Sequence, residues 1–463
     1  MQPPQLPDGP KDSAVLQTLK WLTDPLEFLE ACANRYGDIF TLRIGPAFKP
    51  QVVVTNPQGL QQFFSTPTSK LDSGEQAGIN SPFFGPQSLL ALEGKPHQRQ
   101  RKLLTPAFHG EKMLENGRLI SQITEEVSSQ WPINQPFSVL PSLREISTQV
   151  ILKVIFGLED KLRYQTLKKL SIGLLKTPLL RILAIMIPAL RQDLGAWSPW
   201  GSFLREIQTI DQLIYDEIHE RTEQTNQSRY DILSLMMLAR DEEGLPMTEE
   251  ELHDELITLL IAGNDTTATA LAWALYWIYS LPQICAKLIE ELDSLGGDLN
   301  PKVILRLPYL NAVCSEALRI YPVILLGLHR VVKSPIEIMG YQLEPGTLVI
   351  PGIYLTHHRE DLYPQPKQFE PERFLERKFT PHEFLPFGGG NRRCIGKEFA
   401  LFEMKMVIAT ILSHWQIELI APESVKPIRQ GAVLSPTKGL RMRVQRLPSQ
   451  KQSIGSRSKL LKH

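Results

Sequence analysis

From residue 248 to 281 the chain carries one long helical pattern. Thr248 followed by Glu251 forms a capping box. Apolar and aromatic residues then continue through Leu281, and Pro282 stops the run. At 1.5 Å per residue such a helix is about 50 Å long, enough to cross a whole domain. Past Leu256 it is apolar on most faces, so it is predicted to run through the core. Most of the chain from 93 to 325 has helical spacing, broken by prolines and glycines. Short β-like runs stand at 39–43 and 52–54, and again at 336–338 and 348–350, the last two split by the turn Glu344-Pro345-Gly346. Strands and helices do not alternate as βαβ units, which sets aside a doubly wound nucleotide fold. No repeat or low-complexity linker divides the chain. Residues 1–20 and 446–463 read as tails around one domain, 21–445, and the second tail is basic, with Arg446, Lys451, Arg457, Lys459 and Lys462 and no acid.

Composition narrows the class. The 463 residues are 42% hydrophobic and 22% charged, an ordinary mix for a soluble enzyme. Fifty basic residues balance 50 acidic ones, so net charge points to neither nucleic acid nor bulk membrane attraction. The start, Met1 to Pro10, lacks a basic patch followed by an apolar core and reads as neither signal peptide nor anchor. No run reaches the roughly 20 apolar residues needed to span a bilayer. Cys32, Cys285, Cys314 and Cys394 lie far apart and read as free thiols in a reducing compartment. The chain reads as cytoplasmic and soluble.

The chemistry concentrates at Phe387-Gly388-Gly389-Gly390-Asn391-Arg392-Arg393-Cys394-Ile395-Gly396. One cysteine with no histidine or second cysteine nearby is a poor zinc site and suits a metal needing a single protein thiolate, as haem iron does. The plainer alternative is a glycine-rich turn with a buried thiol. Gly388-Gly389-Gly390 is not followed by Gly-Lys-Ser/Thr and is no P-loop. No G-x-G-x-x-G follows a strand, so a fused flavin or nicotinamide domain is not expected. His357-His358 has no partner at metal spacing and reads as a surface loop. The spacing F-x-x-G-x-R-x-C-x-G resembles the haem-binding loop of the cytochrome P450 superfamily.

That resemblance, over about 420 residues, implies a mostly α fold with a small β-rich lobe (α+β), with haem b between the long helix and the Cys394 loop. Within the helix, Ala262-Gly263-Asn264-Asp265-Thr266-Thr267 resembles the family's A-G-x-D-T-T pattern. Ala262 and Gly263 would let a flat cofactor approach. Thr266 can bond back to the Ala262 carbonyl or open that turn to hold water. The resemblance implies that Thr266 steadies dioxygen and its water while Asp265 relays protons for O–O cleavage. Glu316 and Arg319 share one helix face, and with Arg373 of Pro371-Glu372-Arg373-Phe374 they resemble the family's structural triad, which is not catalytic. For the haem propionates, Arg392 comes first by motif position, followed by His97 and Arg101 in an H-x-x-x-R pattern and by Arg330. Phe387 resembles the aromatic that packs on the thiolate, and Gly388 and Gly396 shape the loop whose N–H groups should bond to sulfur.

By the same resemblance Phe83, Phe84, Ala262, Ile324, Leu325 and a turn at Val433-Leu434 line an apolar substrate pocket. Arg99 or Arg191 could meet a substrate carboxylate. The apolar stretch 179–190 is open to three readings: a lid, a peripheral membrane contact, or core. The expected function is a monooxygenase acting with O2 on a long-chain fatty acid, terpene or steroid-like molecule, by hydroxylation or epoxidation. The partner would be a separate electron donor, a ferredoxin and its reductase, docking on Lys102, Arg393 and Lys397 of a monomer. The alternatives are a peroxide-driven or rearranging haem–thiolate enzyme and a non-catalytic haem sensor.

Overall fold

The computed structural model describes residues 6–45, 48–72, 84–108, 114–175, 191–223 and 231–447. Its helices are α1 (Ala14–Thr23), α2 (Pro25–Tyr36), α3 (Pro57–Ser65), α4 (Gly94–Leu104), α5 (Gly117–Ser128), α6 (Leu140–Val150), α7 (Lys161–Leu175), α8 (Pro199–Glu223), α9 (Ile232–Leu238), α10 (Glu249–Ser280), α11 (Pro282–Asp293), α12 (Pro301–Ile304), α13 (Pro308–Ile320), α14 (Ile353–His357), α15 (Arg373–Glu376) and α16 (Lys397–His414). The strands are β1 (Ile39–Leu42), β2 (Gln51–Val54), β3 (Leu71–Asp72), β4 (Phe137–Ser138), β5 (Arg330–Val332), β6 (Ile336–Ile338), β7 (Tyr341–Leu343), β8 (Leu348–Pro351), β9 (Trp415–Leu419), β10 (Pro427–Gln430), β11 (Val433–Pro436) and β12 (Arg441–Arg446).

α10 is the axle of the helical layer, at 32 residues. Its capping box forms as the sequence predicts: Glu251 N–H donates to Thr248 Oγ1 at 3.1 Å and Thr248 N–H to Glu251 Oε2 at 2.9 Å. Leu256, Leu260, Leu271, Leu275 and Ile278 are buried among α6, α8, α13 and α16. Removing such side chains from water is worth roughly 1.5–3 kcal/mol each, so tertiary burial outweighs the small and polar positions at its middle. α6 runs on into a π-helical turn, Ile151–Ile155, which presents Ile151 to Gly263.

The β lobe is a five-stranded sheet in the order β1-β2-β8-β5-β3. β2 and β8 pair in parallel, with Val53 opposite Ile350. Both strands are buried on their two faces, which explains unbroken apolar runs where alternation would mark a half-exposed strand. β9, β12 and β4 form a second sheet, and β10–β11 and β6–β7 form hairpins.

Three expectations are corrected. The chain before residue 20 is not a tail from Leu6 onward: the Thr41 N–H and hydroxyl donate to the carbonyls of Asp8 and Pro7, and α1 follows. Its anchor is the buried Gln17, which donates to Pro10 and Asp12 carbonyls and accepts from Arg43 N–H, so an apolar pattern could not reveal it. Val433-Leu434 is strand β11, not a turn. His357 is fully buried at the end of α14, not on a surface loop, with Nε2 accepting from Leu385 N–H at 3.0 Å. Most of the second tail, together with 179–190 and Phe83, lies outside the described residues. No described helix is long and apolar enough to cross a membrane.

Candidate active site

The cysteine loop is built by glycines and closed by a backbone bond. Gly388 and Gly390 hold φ of +68° and +63°, a left-handed conformation that costs glycine little. A Cβ on Gly389 would stand 2.7 Å from the Phe64 ring. Cys394 N–H donates to the Phe387 carbonyl at 2.9 Å, which folds the loop back on itself, and Gly396 starts α16. Cys394 is exposed, unlike Cys32, Cys285 and Cys314, which are buried. Protein packed around the sulfur pushes its thiol pKa up, while the Gly396 N–H and the charges of Arg101 and Arg393 pull it down. Arg101, Thr105, Arg393, Cys394, Ile395, Lys397 and Glu398 line a cleft of about 140 Å³ there.

At the middle of α10, Ala262 is exposed and Gly263, Asp265 and Thr266 are half-buried, although the helix is otherwise core. Thr266 Oγ1 donates to the Ala262 carbonyl at 2.7 Å, the back-bonded alternative. A Cβ on Gly263 would stand 3.2 Å from Ile151 Cδ1 of the π-turn, a tight contact on that side of the helix. Asp265 pairs with Arg144 Nε at 2.7 Å, and Arg144 also donates to Gln430 at 3.3 Å. Arg144 escaped the sequence reading. Its partner lies 121 residues further along the chain, so no local pattern marks it.

The cations divide into two kinds. Arg392 donates to the Leu89 carbonyl at 2.9 Å, to the Leu92 carbonyl at 2.6 Å and to Asp72 Oδ1 at 2.9 Å, so the residue placed first for a propionate has a protein carboxylate already. Arg330 is buried, 4.7 Å from the Phe63 ring, with Nη2 donating weakly to Gly389 O at 3.4 Å and Nη1 without a partner. Burial and the Arg392 charge lower its pKa to about 10. His97 is buried with Nε2 unpartnered, and burial with the charges of Arg392 and Arg101 lowers it to about 4. Buried donors without acceptors are costly. Arg330 Nη1 is such a donor, and His97 Nε2 is one in the tautomer that carries its proton there; with the exposed Cys394 they fit a cofactor that carries carboxylates and takes one thiolate.

Glu316, Arg319 and Arg373 come together. Arg319 Nε and Nη2 donate to Glu316 at 2.6 and 2.9 Å, and Arg373 Nε donates at 3.2 Å, all three residues being buried. Arg319 also donates to the carbonyls of His357 and Gln368, which ties α13 to the segment ahead of the cysteine loop.

Part of the pocket set meets: the Leu434 N–H donates to the Val323 carbonyl at 2.9 Å, next to Ile324 and Leu325, and Leu325 and Leu434 share one core cluster. Phe84 and Ile324 are half-buried, Leu325 is packed into the β-lobe core, and Val433 and Leu434 are buried, with Leu434 O accepting from Trp273 Nε1 at 2.7 Å. Phe387 packs against the main core. Arg99 donates to Asp241, Glu251 and the Pro246 carbonyl and has no need of a substrate acid. Lys102 pairs with Glu242 and Lys397 with Glu398, which weakens the basic face.

Known proteins are similar throughout. Residues 7–444 match the protein-family model for "Cytochrome P450". The chain is 36% identical over 441 residues to "Putative cytochrome P450 135B1" of Mycobacterium tuberculosis, covering 95% of this chain and 91% of that one. It is 32% identical over 448 residues to "Putative cytochrome P450 138" of the same organism, covering 96% and 97%. Among solved structures, "Retinoic acid bound cyanobacterial CYP120A1" superimposes with a TM-score of 0.80 at 24% identity, covering 96% of this chain and 100% of that one.

Proposed function

The chain belongs to the cytochrome P450 family, and we propose that it inserts one oxygen atom of O2 into a bulky hydrophobic molecule, by hydroxylation or epoxidation. Membership makes it a monooxygenase, an oxidoreductase whose cofactor is haem b and whose electrons come from a redox partner. The observation that carries the proposal is Cys394, exposed unlike the other cysteines, in a loop otherwise fixed by glycines and backbone bonds.

Haem b, when bound, supplies the iron at which O2 is reduced and cleaved. Cys394 is assigned as its thiolate ligand, with the Gly396 N–H tempering the charge on sulfur. Arg330 and His97 are assigned to the propionates because each holds a buried nitrogen without a protein partner, with Arg101 beside them. Arg392 ties the loop to Asp72 and to Leu89 and Leu92, and reaches the same carboxylate side through its position in the motif. Thr266 spends its proton on the Ala262 carbonyl, so it offers lone pairs to a water or a reacting oxygen. Asp265, steered by Arg144, is the acid that passes protons inward from the half-exposed side of α10. Substrate-H, O2, two electrons and two protons then balance to substrate-OH and water.

The exposed Ala262 methyl and the half-buried Phe84 and Ile324 favour an apolar substrate. A ferredoxin-type donor is the reading for the face around Arg393 and Lys397, and the chain is read as a cytoplasmic monomer. Retinoic acid, palmitic acid and a steroid are suitable probes, each followed by the spin-state shift on binding. The probe that binds is then turned over with a ferredoxin system and isotopically labelled O2. One labelled atom in the product supports the proposal. Product formed with hydrogen peroxide alone, and none with the reductant system, identifies the peroxide-driven alternative.

A further inference from the structure

Two acids in the second turn of α10 reach out of the helix to one short stretch of chain, residues 84–92, which precedes α4. Asp254 Oδ2 accepts the Gln87 N–H at 2.8 Å. Glu255 Oε1 accepts the Leu89 N–H at 2.6 Å and the Gln100 side-chain amide of α4 at 3.3 Å. Both acids are buried. The fit is close: a Cβ on Gly85 would stand 2.0 Å from the Asp254 carboxylate. Asp254 is itself braced, since Oδ1 meets His253 Nδ1 at 3.0 Å, and His253 Nε2 meets Asp211 of α8 at 3.2 Å while its ring stacks on Tyr215 at 4.2 Å.

The other side of the same stretch faces the cysteine loop. The Leu89 carbonyl accepts from Arg392 Nη1 at 2.9 Å, and the Leu92 carbonyl from Arg392 Nη2 at 2.6 Å. Leu89 therefore gives its N–H to α10 and its carbonyl to the arginine two residues before Cys394. Burying two adjacent carboxyls is unfavourable unless hydrogen bonds compensate them. The compensating bonds run to 84–92, to Gln100 of α4 and to the His253 brace.

We propose that Asp254 and Glu255 are positioning residues that fasten residues 84–92 to α10, and so hold Arg392 and α4 in place on the carboxylate side of the cofactor. The cofactor half of this rests on the proposed function, in which α4 and Arg392 stand at the propionates. Neither acid touches the reacting atoms. Burial, opposed by the Leu89 and Gln100 donors, pushes the Glu255 carboxyl up to about 8. It holds a proton at neutral pH, and glutamine is its near isostere.

The test uses the haem-loaded full chain as wild type, Glu255→Gln, Glu255→Ala and Gly85→Ala. Hydrogen–deuterium exchange reads the amides of 84–92, and transfer of haem to apomyoglobin reads its release. In Glu255→Ala the amides of 84–92 should exchange at least about tenfold faster, as expected for losing a buried bond of about 1.5 kcal/mol, with α16 unchanged and haem leaving faster. Glu255→Gln should restore both. Gly85→Ala, whose Cβ would collide with the Asp254 carboxylate, should loosen the same amides, and it keeps the proposal testable if Glu255→Ala fails to fold. Unchanged exchange at 84–92 overturns the fastening itself. Acceleration spread equally over α16 overturns it too, because that is general destabilisation. Faster local exchange with unaltered haem release leaves the site reading standing and overturns the link to the cofactor.

Discussion

Glu316 offers the sharpest energetic test. It accepts four hydrogen bonds: two from Arg319 at 2.6 and 2.9 Å, one from Arg373 at 3.2 Å and one from Glu370 N–H at 2.9 Å. Glu316→Ala removes all four and leaves Arg319, which is fully buried, facing the carbonyls of His357 and Gln368 and the Tyr363 ring, with no carboxylate. Breaking one side of a buried pair costs about 4 kcal/mol, near a thousand-fold in the folding equilibrium. Arg319→Ala should cost about as much. The double variant removes both charges, so it should cost less than the sum, with a coupling of about 2 kcal/mol or more. Guanidinium unfolding of the haem-loaded protein, followed by circular dichroism for all four members of the cycle, measures this. Additive losses would refute the reasoning, because they would mean that neither charge depends on the other.

Three further outcomes follow from the same geometry. Arg330→Gln removes a buried cation whose Nη1 lacks a protein acceptor, and haem transfer to apomyoglobin should speed up about tenfold, the loss expected for one charged hydrogen bond; unchanged transfer would remove Arg330 from the propionates. Thr266→Ala should leave substrate binding intact and raise the hydrogen peroxide released per electron consumed, and equal coupling would dismiss the role given to that hydroxyl. Glu403 is buried and accepts from Ser147 at 2.7 Å, and burial pushes its carboxyl up to about 8. The folded state keeps that proton while the unfolded chain gives it up near pH 4.5, so this group lowers stability progressively from about pH 4.5 to 8 and no further above it. Glu403→Gln should flatten that part of the stability profile, and an unaltered slope would contradict the assignment.

How much the sequence could say depended on whether the signal was local. Thr248-Glu251, Pro282 and the apolar run between them fix α10 because capping and periodicity are decided within a few residues. The Cys394 loop was equally legible, since its glycines and its cysteine belong to one stretch. Glu316 and Arg319 sit on one turn, and only their meeting with Arg373 needed the family pattern. Illegible features depend on partners far along the chain. Arg392 finds Asp72 across 320 residues, and Asp265 finds Arg144 across 121. Gly263 lies against Ile151, which no spacing rule connects to it. His357 was misplaced because its burial comes from Leu385 and the Arg319 bond. The ordered start of the chain was missed because a buried glutamine holds it, where burial is normally signalled by apolar residues.

The central claim, that Cys394 ligates haem through its thiolate, is tested most directly by the carbon monoxide spectrum of the reduced protein. Wild type should show the red-shifted Soret band of thiolate-ligated haem, and Cys394→Ala should lose it. A protein that binds no haem, or a red-shifted band that survives in Cys394→Ala, would contradict the account.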